Sequence, residues 1–166
     1  MQVYDWSRFV LRVPIKASRE KIYKAWTSQQ GLESWFLRKA EFTKADGQTR
    51  KDTDSVQIAD KYEWLWHGWP DDVVERGVIL QENGSDLLKF TFGKAGNVTV
   101  TVKQEEGEHI LELLQDEIPT DEKSQVTYHM GCTKGWLFYM TNLKSILEGG
   151  IDLRNRNMQL ADVLNS

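Results

Sequence analysis

A chain of 166 residues, 40% hydrophobic and 28% charged, has the composition of one folded domain with material for a sizeable core, which sets disorder aside. Its net charge of −4 gives no general basic field, so no nucleic acid partner is expected, and no stretch reaches the roughly 18 uncharged apolar residues of a membrane span, so no membrane insertion is expected either. A single cysteine, Cys132, excludes an internal disulfide framework, and without a basic-then-apolar leader after Met1 the expected location is cytoplasmic.

Residues 8–15 alternate. Phe9, Leu11, Val13 and Ile15 fall on one face and Arg8, Arg12 and Pro14 on the other, the pattern of a strand buried on one side. Pro14 cannot donate a ladder hydrogen bond, which places it near a sheet edge or at the strand's end. Ser18 is a candidate N-cap with Glu20 in the first turn, opening a short helix that presents Ile22, Ala25 and Trp26. Leu32, Trp35 and Phe36, spaced i, i+3 and i+4, make one face of a second short helix, with Gly31 read as the bend between the two.

From Leu37 to Glu117 the signals are strands and turns. Ala40 and Phe42 share a face within residues 39–44, residues 46–54 are polar around Asp46-Gly47 and read as a mobile loop, and Tyr62, Trp64 and Trp66 share one face of the next strand. Trp69-Pro70-Asp71-Asp72 is a break. Residues 73–81 and 87–92 flank Asn83-Gly84, a strong hairpin signal because both residues tolerate positive φ. Val98, Val100 and Val102 alternate with Thr99, Thr101 and Lys103, and Glu105-Glu106-Gly107-Glu108 turns the chain into residues 109–117. Strands this closely spaced predict an antiparallel meander rather than a parallel sheet.

After Pro119 the period becomes helical. At about 100° per residue, His129, Cys132, Trp136, Tyr139, Met140, Leu143, Ile146 and Leu147 gather in one stripe of a helix running from about His129 to Gly149, stopped by Gly149-Gly150. Phe138 lies off the stripe. The predicted class is α+β, a curved antiparallel sheet of about six or seven strands around a long C-terminal helix, with two short helices after the first strand. The expected division is a domain over residues 1–154 and a C-terminal tail over residues 155–166, docked on its own domain or on a partner.

Several segments, in this order, resemble a known family. They are the run from Val13-Pro14-Ile15 through Ser18 to Ala25-Trp26, then Gly31-Leu32-Glu33-Ser34-Trp35-Phe36, then Tyr62-Glu63-Trp64-Leu65-Trp66-His67-Gly68, and finally Gly135-Trp136 followed by residues 143–150. Over about residues 8–154 they resemble the START-like (SRPBCC) superfamily, the helix-grip fold also seen in the birch-pollen allergen. Within it they look most like the branch related to the C-terminal domain of the activator of the ninety-kilodalton heat-shock chaperone ATPase. The resemblance implies a cavity between sheet and helix that admits a lipid-like or aromatic molecule. It does not choose among lipid carriers, cyclases and chaperone regulators, all of which use this fold.

The rings and Met that alternation and the helical stripe direct at one space are Trp35, Phe36, Phe42, Trp64, Trp66, Phe90, Phe92, Trp136, Tyr139 and Met140, the expected ligand-binding set, with Trp64 and Trp136 as preferred wall residues. His129 and Cys132, at i and i+3, suggest an activated thiolate, but ordinary burial of a small thiol beside a hydrogen-bonded histidine explains the pair better. Metal ligation lacks a third ligand by spacing, and the adjacent carboxylates Asp71–Asp72 and Glu105–Glu106 read as solvated turns. No glycine-rich phosphate loop or nucleophile elbow is present, so no cofactor, metal or catalytic residue is expected. The favoured function is a non-enzymatic module for a lipid-like or other apolar small molecule. The alternative is a protein-interaction or chaperone-regulating domain with an exposed apolar patch around Phe138, Trp69 or the tail, and a pocket enzyme ranks third.

Overall fold

Among the described residues the chain forms seven strands: β1 (Phe9–Ile15), β2 (Lys39–Thr43), β3 (Lys61–Leu65), β4 (Val74–Glu82), β5 (Leu87–Thr91), β6 (Asn97–Glu105) and β7 (Glu108–Asp116). They were located in a computed structural model that describes residues 4–160 and residue 163. All pair antiparallel in one sheet of order β1-β7-β6-β5-β4-β3-β2. Strands β2 to β7 are the predicted meander, and β1 returns to the outside of β7. Pro14 therefore lies on an edge strand, opposite Ile110, where a missing N–H is tolerated.

Register explains which side chains point inward, because directly paired residues share a face. Tyr62 pairs with Gly77, Trp64 with Glu75, Ile79 with Phe90, Val98 with Gln115 and Val100 with Leu113. Most of these side chains are buried against the helices, which makes this the core face of the sheet. Gly77 is a packing requirement: a Cβ there would come within 2.5 Å of the Tyr62 hydroxyl and of Thr91 Oγ1.

Helices α1 (Arg19–Trp26) and α2 (Gln29–Trp35) follow β1 as expected, each opened by a serine that accepts from a first-turn amide: Ser18 from Lys21, Ser28 from Gly31. The break between them is at Thr27-Ser28. Gly31, expected at the bend, is inside α2 instead, because the bare backbone there lets α2 close on the end of α1. A Cβ on Gly31 would stand 2.9 Å from Ala25 O and closer still to Lys24 O. The Trp35 indole reinforces the junction by donating to Ala25 O at 2.9 Å.

The C-terminal helix begins earlier than its hydrophobic stripe. One α-turn, α3 (Glu122–Ser124), is capped by Asp121. A π-helical stretch follows over Gln125–Met130, and α4 (Gly131–Leu147) continues the rod. The π stretch inserts extra backbone into the 3.6-residue period and leaves Val126 and Met130 on the solvent side, so the apolar pattern shows no helix there.

Residues 46–54, expected as a mobile loop, are tied down at both ends. Thr43 and Thr49 form a bridge, Arg50 N–H donates to Phe42 O at 2.8 Å, and Gln30 N–H donates to Asp52 O at 2.9 Å. The Arg50 guanidinium also pairs with the buried carboxylate of Asp60. Past α4, residues 151–160 contain no helix or strand, yet Arg154 is locked in place. Its guanidinium has 0% exposure and donates to Glu33 O, Ser34 O and Leu37 O at 2.9–3.0 Å and to the Asp152 carboxylate. It thereby occupies carbonyls at the end of α2 that lack helical partners.

Candidate functional site

Trp35, Phe42, Trp64, Phe90 and Met140, five of the ten residues expected to wall a pocket, are at most 2% exposed and fill the core. Trp35 stacks on Phe36, and Trp64 stacks on Tyr62 with centroids 4.0 Å apart. The other five, Phe36, Trp66, Phe92, Trp136 and Tyr139, line a cleft of about 190 Å³ at one end of the sheet, completed by Thr127, Gly131, Cys132 and Gly135.

The cleft follows from the sequence of the helix. Thr127, Gly131 and Gly135 recur every four residues, and the two glycines present no side chain, so the rings opposite them meet backbone. A Cβ built on Gly135 would meet nothing within 4 Å. Two glycines four apart in an otherwise ordinary helix were the available signal for this gap, since glycine in a helix interior is destabilising unless space is needed. Around the gap Trp136 packs on Phe36 and Phe92 at centroid distances of 5.0 and 5.3 Å, and Phe36 meets Tyr139 edge-on at 4.8 Å.

Gln115, fully buried on β7, sets the angle of the central ring. Its Oε1 accepts the Trp136 indole N–H at 2.8 Å and its Nε2 donates to Ala95 O at 2.8 Å. Burial pushes the Cys132 thiol above its ordinary pKa, and the field of Glu75 acts in the same direction, against a hydrogen bond with Gln115. Burial likewise pushes the Tyr139 hydroxyl up to about 12. Both groups are neutral at physiological pH.

His129 and Cys132 do not act together. The His129 ring is packed edge-on against Tyr4, Trp6 and Phe9, and its Nε2 lies 3.3 Å from the Tyr4 hydroxyl and 3.2 Å from Arg8 O, whereas Cys132 faces the cleft and Gln115. The adjacent carboxylates are solvated: Asp71 pairs with Arg38 and Glu105 with Arg12 at exposed positions. Among the described residues no three His, Cys, Asp or Glu side chains converge to hold a metal ion. Among them, too, no helix is long and apolar enough to cross a membrane. The sequence reading passed over Glu75, a half-buried carboxyl on the core face opposite Trp64, whose pKa burial pushes up.

The family model described as activator of Hsp90 ATPase homolog 1-like protein matches residues 16–148. The chain belongs to that family. The match spans every residue that lines the cleft, while Arg154 lies outside it. No curated protein matches the chain at a significant level. Solved structures share the fold of this Hsp90-activator-like chain at low identity. A Staphylococcus saprophyticus protein is 16% identical with a TM-score of 0.68, covering 89% of this chain and 96% of its own. An Aha1 dimer from Colwellia psychrerythraea is 16% identical with a TM-score of 0.64 over 86% and 97%. A Chromobacterium violaceum protein is 20% identical with a TM-score of 0.59 over 86% and 98%. The START-like helix-grip architecture of the family is thus the architecture of this chain.

Proposed function

We propose that this member of the Hsp90-activator-like family is a binding module whose cleft takes a small apolar molecule of one or two rings. The observation that supports it most is the aromatic cleft over a glycine floor, about 190 Å³ in volume. That is smaller than the roughly 300–1,000 Å³ of sites for drug-sized ligands and somewhat larger than the ~150 Å³ engineered cavity that admits benzene. The size favours a compact ring over a long acyl chain, which narrows the lipid-like expectation.

The test is a titration followed by amide NMR with indole and with a lysophospholipid. Indole shifts the Gly131, Cys132 and Gly135 resonances and the lipid does not. If neither moves them at millimolar concentration, the cleft is not a ligand site.

A second reading has its own observation. Val126, Met130 and Leu137 are 63%, 54% and 57% exposed on the solvent side of the C-terminal helix. Such a row is suited to docking a folded protein, and the family description points to the chaperone Hsp90. Under this reading Met130→Asp with Leu137→Asp abolishes any stimulation of Hsp90 ATPase activity, whereas filling the cleft with Gly135→Leu leaves it unchanged.

A further inference from the structure

Strand β4 turns Glu75, Gly77 and Ile79 to the core face, where register sets them opposite Trp64, Tyr62 and Phe90. A carboxylate on this face loses hydration, and among the described residues it gains a backbone hydrogen bond from Arg76 but no countercharge. The arginines nearby are committed elsewhere, Arg76 to Glu63 and Arg38 to Asp71, and among the described residues Glu75 joins no ion pair. Its carboxyl lies instead on bare backbone: a Cβ on Gly93 would stand 2.7 Å from one Glu75 oxygen and 3.0 Å from the other. Gly93 follows Phe92, which lines the cleft, and the Glu75 charge is felt by the thiol of Cys132, which lines it too. Glu75 is thus an acid without an ion pair among the described residues, packed on Gly93 just behind the Phe92–Cys132 end of the aromatic cleft.

We propose that the cleft selects a small organic ammonium, a primary amine on a body the size of one ring, with its nitrogen directed at Glu75 and its body held among Phe36, Phe92, Trp136 and Tyr139. The inference rests on the reading of the cleft as a ligand site. Faces of aromatic rings attract cations and repel anions. A carboxylate adds a charge-assisted hydrogen bond that a neutral alcohol receives only in part and a second carboxylate not at all. The two features together discriminate by charge, which the rings alone do only weakly. A bound ammonium also supplies the countercharge that Glu75 lacks.

Three probes of nearly equal size separate the possibilities: benzylamine, benzyl alcohol and phenylacetate, titrated calorimetrically and by the Gly131 and Gly135 amide shifts. The wild-type chain binds benzylamine at least about tenfold more tightly than benzyl alcohol and does not bind phenylacetate. Glu75→Gln, which keeps the shape packed on Gly93, weakens benzylamine by about tenfold or more and leaves benzyl alcohol unchanged. Should that variant fail to fold, the wild-type ratio of the two affinities decides alone. If benzyl alcohol binds as well as benzylamine, or the preference survives Glu75→Gln, Glu75 is merely a packed acid and the inference is overturned while the cleft reading stands. If none of the three shifts the cleft amides, both are overturned.

Discussion

The indole N–H of Trp136 donates to Oε1 of Gln115 at 2.8 Å, with both side chains buried between sheet and helix. The bond joins α4 to β7 at the cleft wall, and Gln115 passes it on by donating to Ala95 O. Replacing Gln115 with Leu orphans the indole donor and the Ala95 carbonyl together. At about 1–3 kcal/mol for each buried unsatisfied group, the expected loss is roughly 2–6 kcal/mol in urea unfolding. Trp136→Ala, which removes the ring itself, is expected to cost about 3–5 kcal/mol and to widen the cleft. A loss below about 1 kcal/mol in either variant contradicts this account of the wall.

Gly135 and Gly31 both lie in helices, but the space beside them differs. A Cβ on Gly135 enters open cleft, whereas one on Gly31 runs into the carbonyls of α1. Gly135→Ala is therefore expected to stabilise the chain by about 0.5–1 kcal/mol through helix propensity alone. Gly31→Ala is expected to destabilise it by about 1–3 kcal/mol, since backbone must give way. Thermal melts of the two variants, compared with wild type, move in opposite directions. Equal shifts would mean that the floor of the cleft is not open.

The contrast between these glycines also shows what the sequence made legible. Periodicity placed the strands, the two short helices and the stripe through Trp136 and Leu143, because one-sided burial imposes a period of two or of 3.6. It also directed the right rings toward one interior, yet could not tell Trp64, stacked solidly on Tyr62, from Trp66, which reaches the cleft. That distinction depends on which helical residues lack side chains, and on the π stretch that precedes Gly131. The same logic hid Asn142 and Arg154. A polar residue in an apolar stripe or tail shows its role only when its partners, here Trp35 O and the α2 carbonyls, arrive from distant parts of the chain. Glu75 was hidden because a strand with a glycine and an acid on its inner face has no clear alternation.

Arg154 makes the segment after α4 part of the fold. Truncating it to Ala leaves the carbonyls of Glu33, Ser34 and Leu37 without their donor and takes from Asp152 the buried one of its two arginines, and breaking a buried charged pair of this kind costs about 3–5 kcal/mol. Asp152 adds a pH signature. Burial by itself would raise its pKa, but hydrogen bonds from Arg154 and Arg156 overcome that and hold the carboxyl well below the ordinary 3.8. A folded-state pKa below the unfolded one means that its stabilisation is complete above pH 3.8 and is lost as the pH falls further. The stability gap between wild type and Asp152→Asn in urea titrations should hold from neutral pH down to that value and then close in stronger acid. A gap that widens in acid would reverse the sign and refute the pairing.

Cys132 gives the cleft a chemical reporter. Burial raises its thiol pKa, the Glu75 charge adds to the rise, and Gln115 opposes it. Because the thiolate is the nucleophile, less of it is present at any given pH than for a free thiol. Alkylation by iodoacetamide at pH 8 should run more slowly than for a small thiol and accelerate only as the pH passes the usual thiol range. Glu75→Gln removes the nearby negative charge and should speed the reaction, while Gly135→Leu, which fills the space in front of the sulfur, should slow it. Benzyl alcohol in the cleft should slow the wild-type reaction as Gly135→Leu does. If alkylation is as fast as for a free thiol, or indifferent to both substitutions, then Cys132 does not face the cleft and Glu75 is not its neighbour.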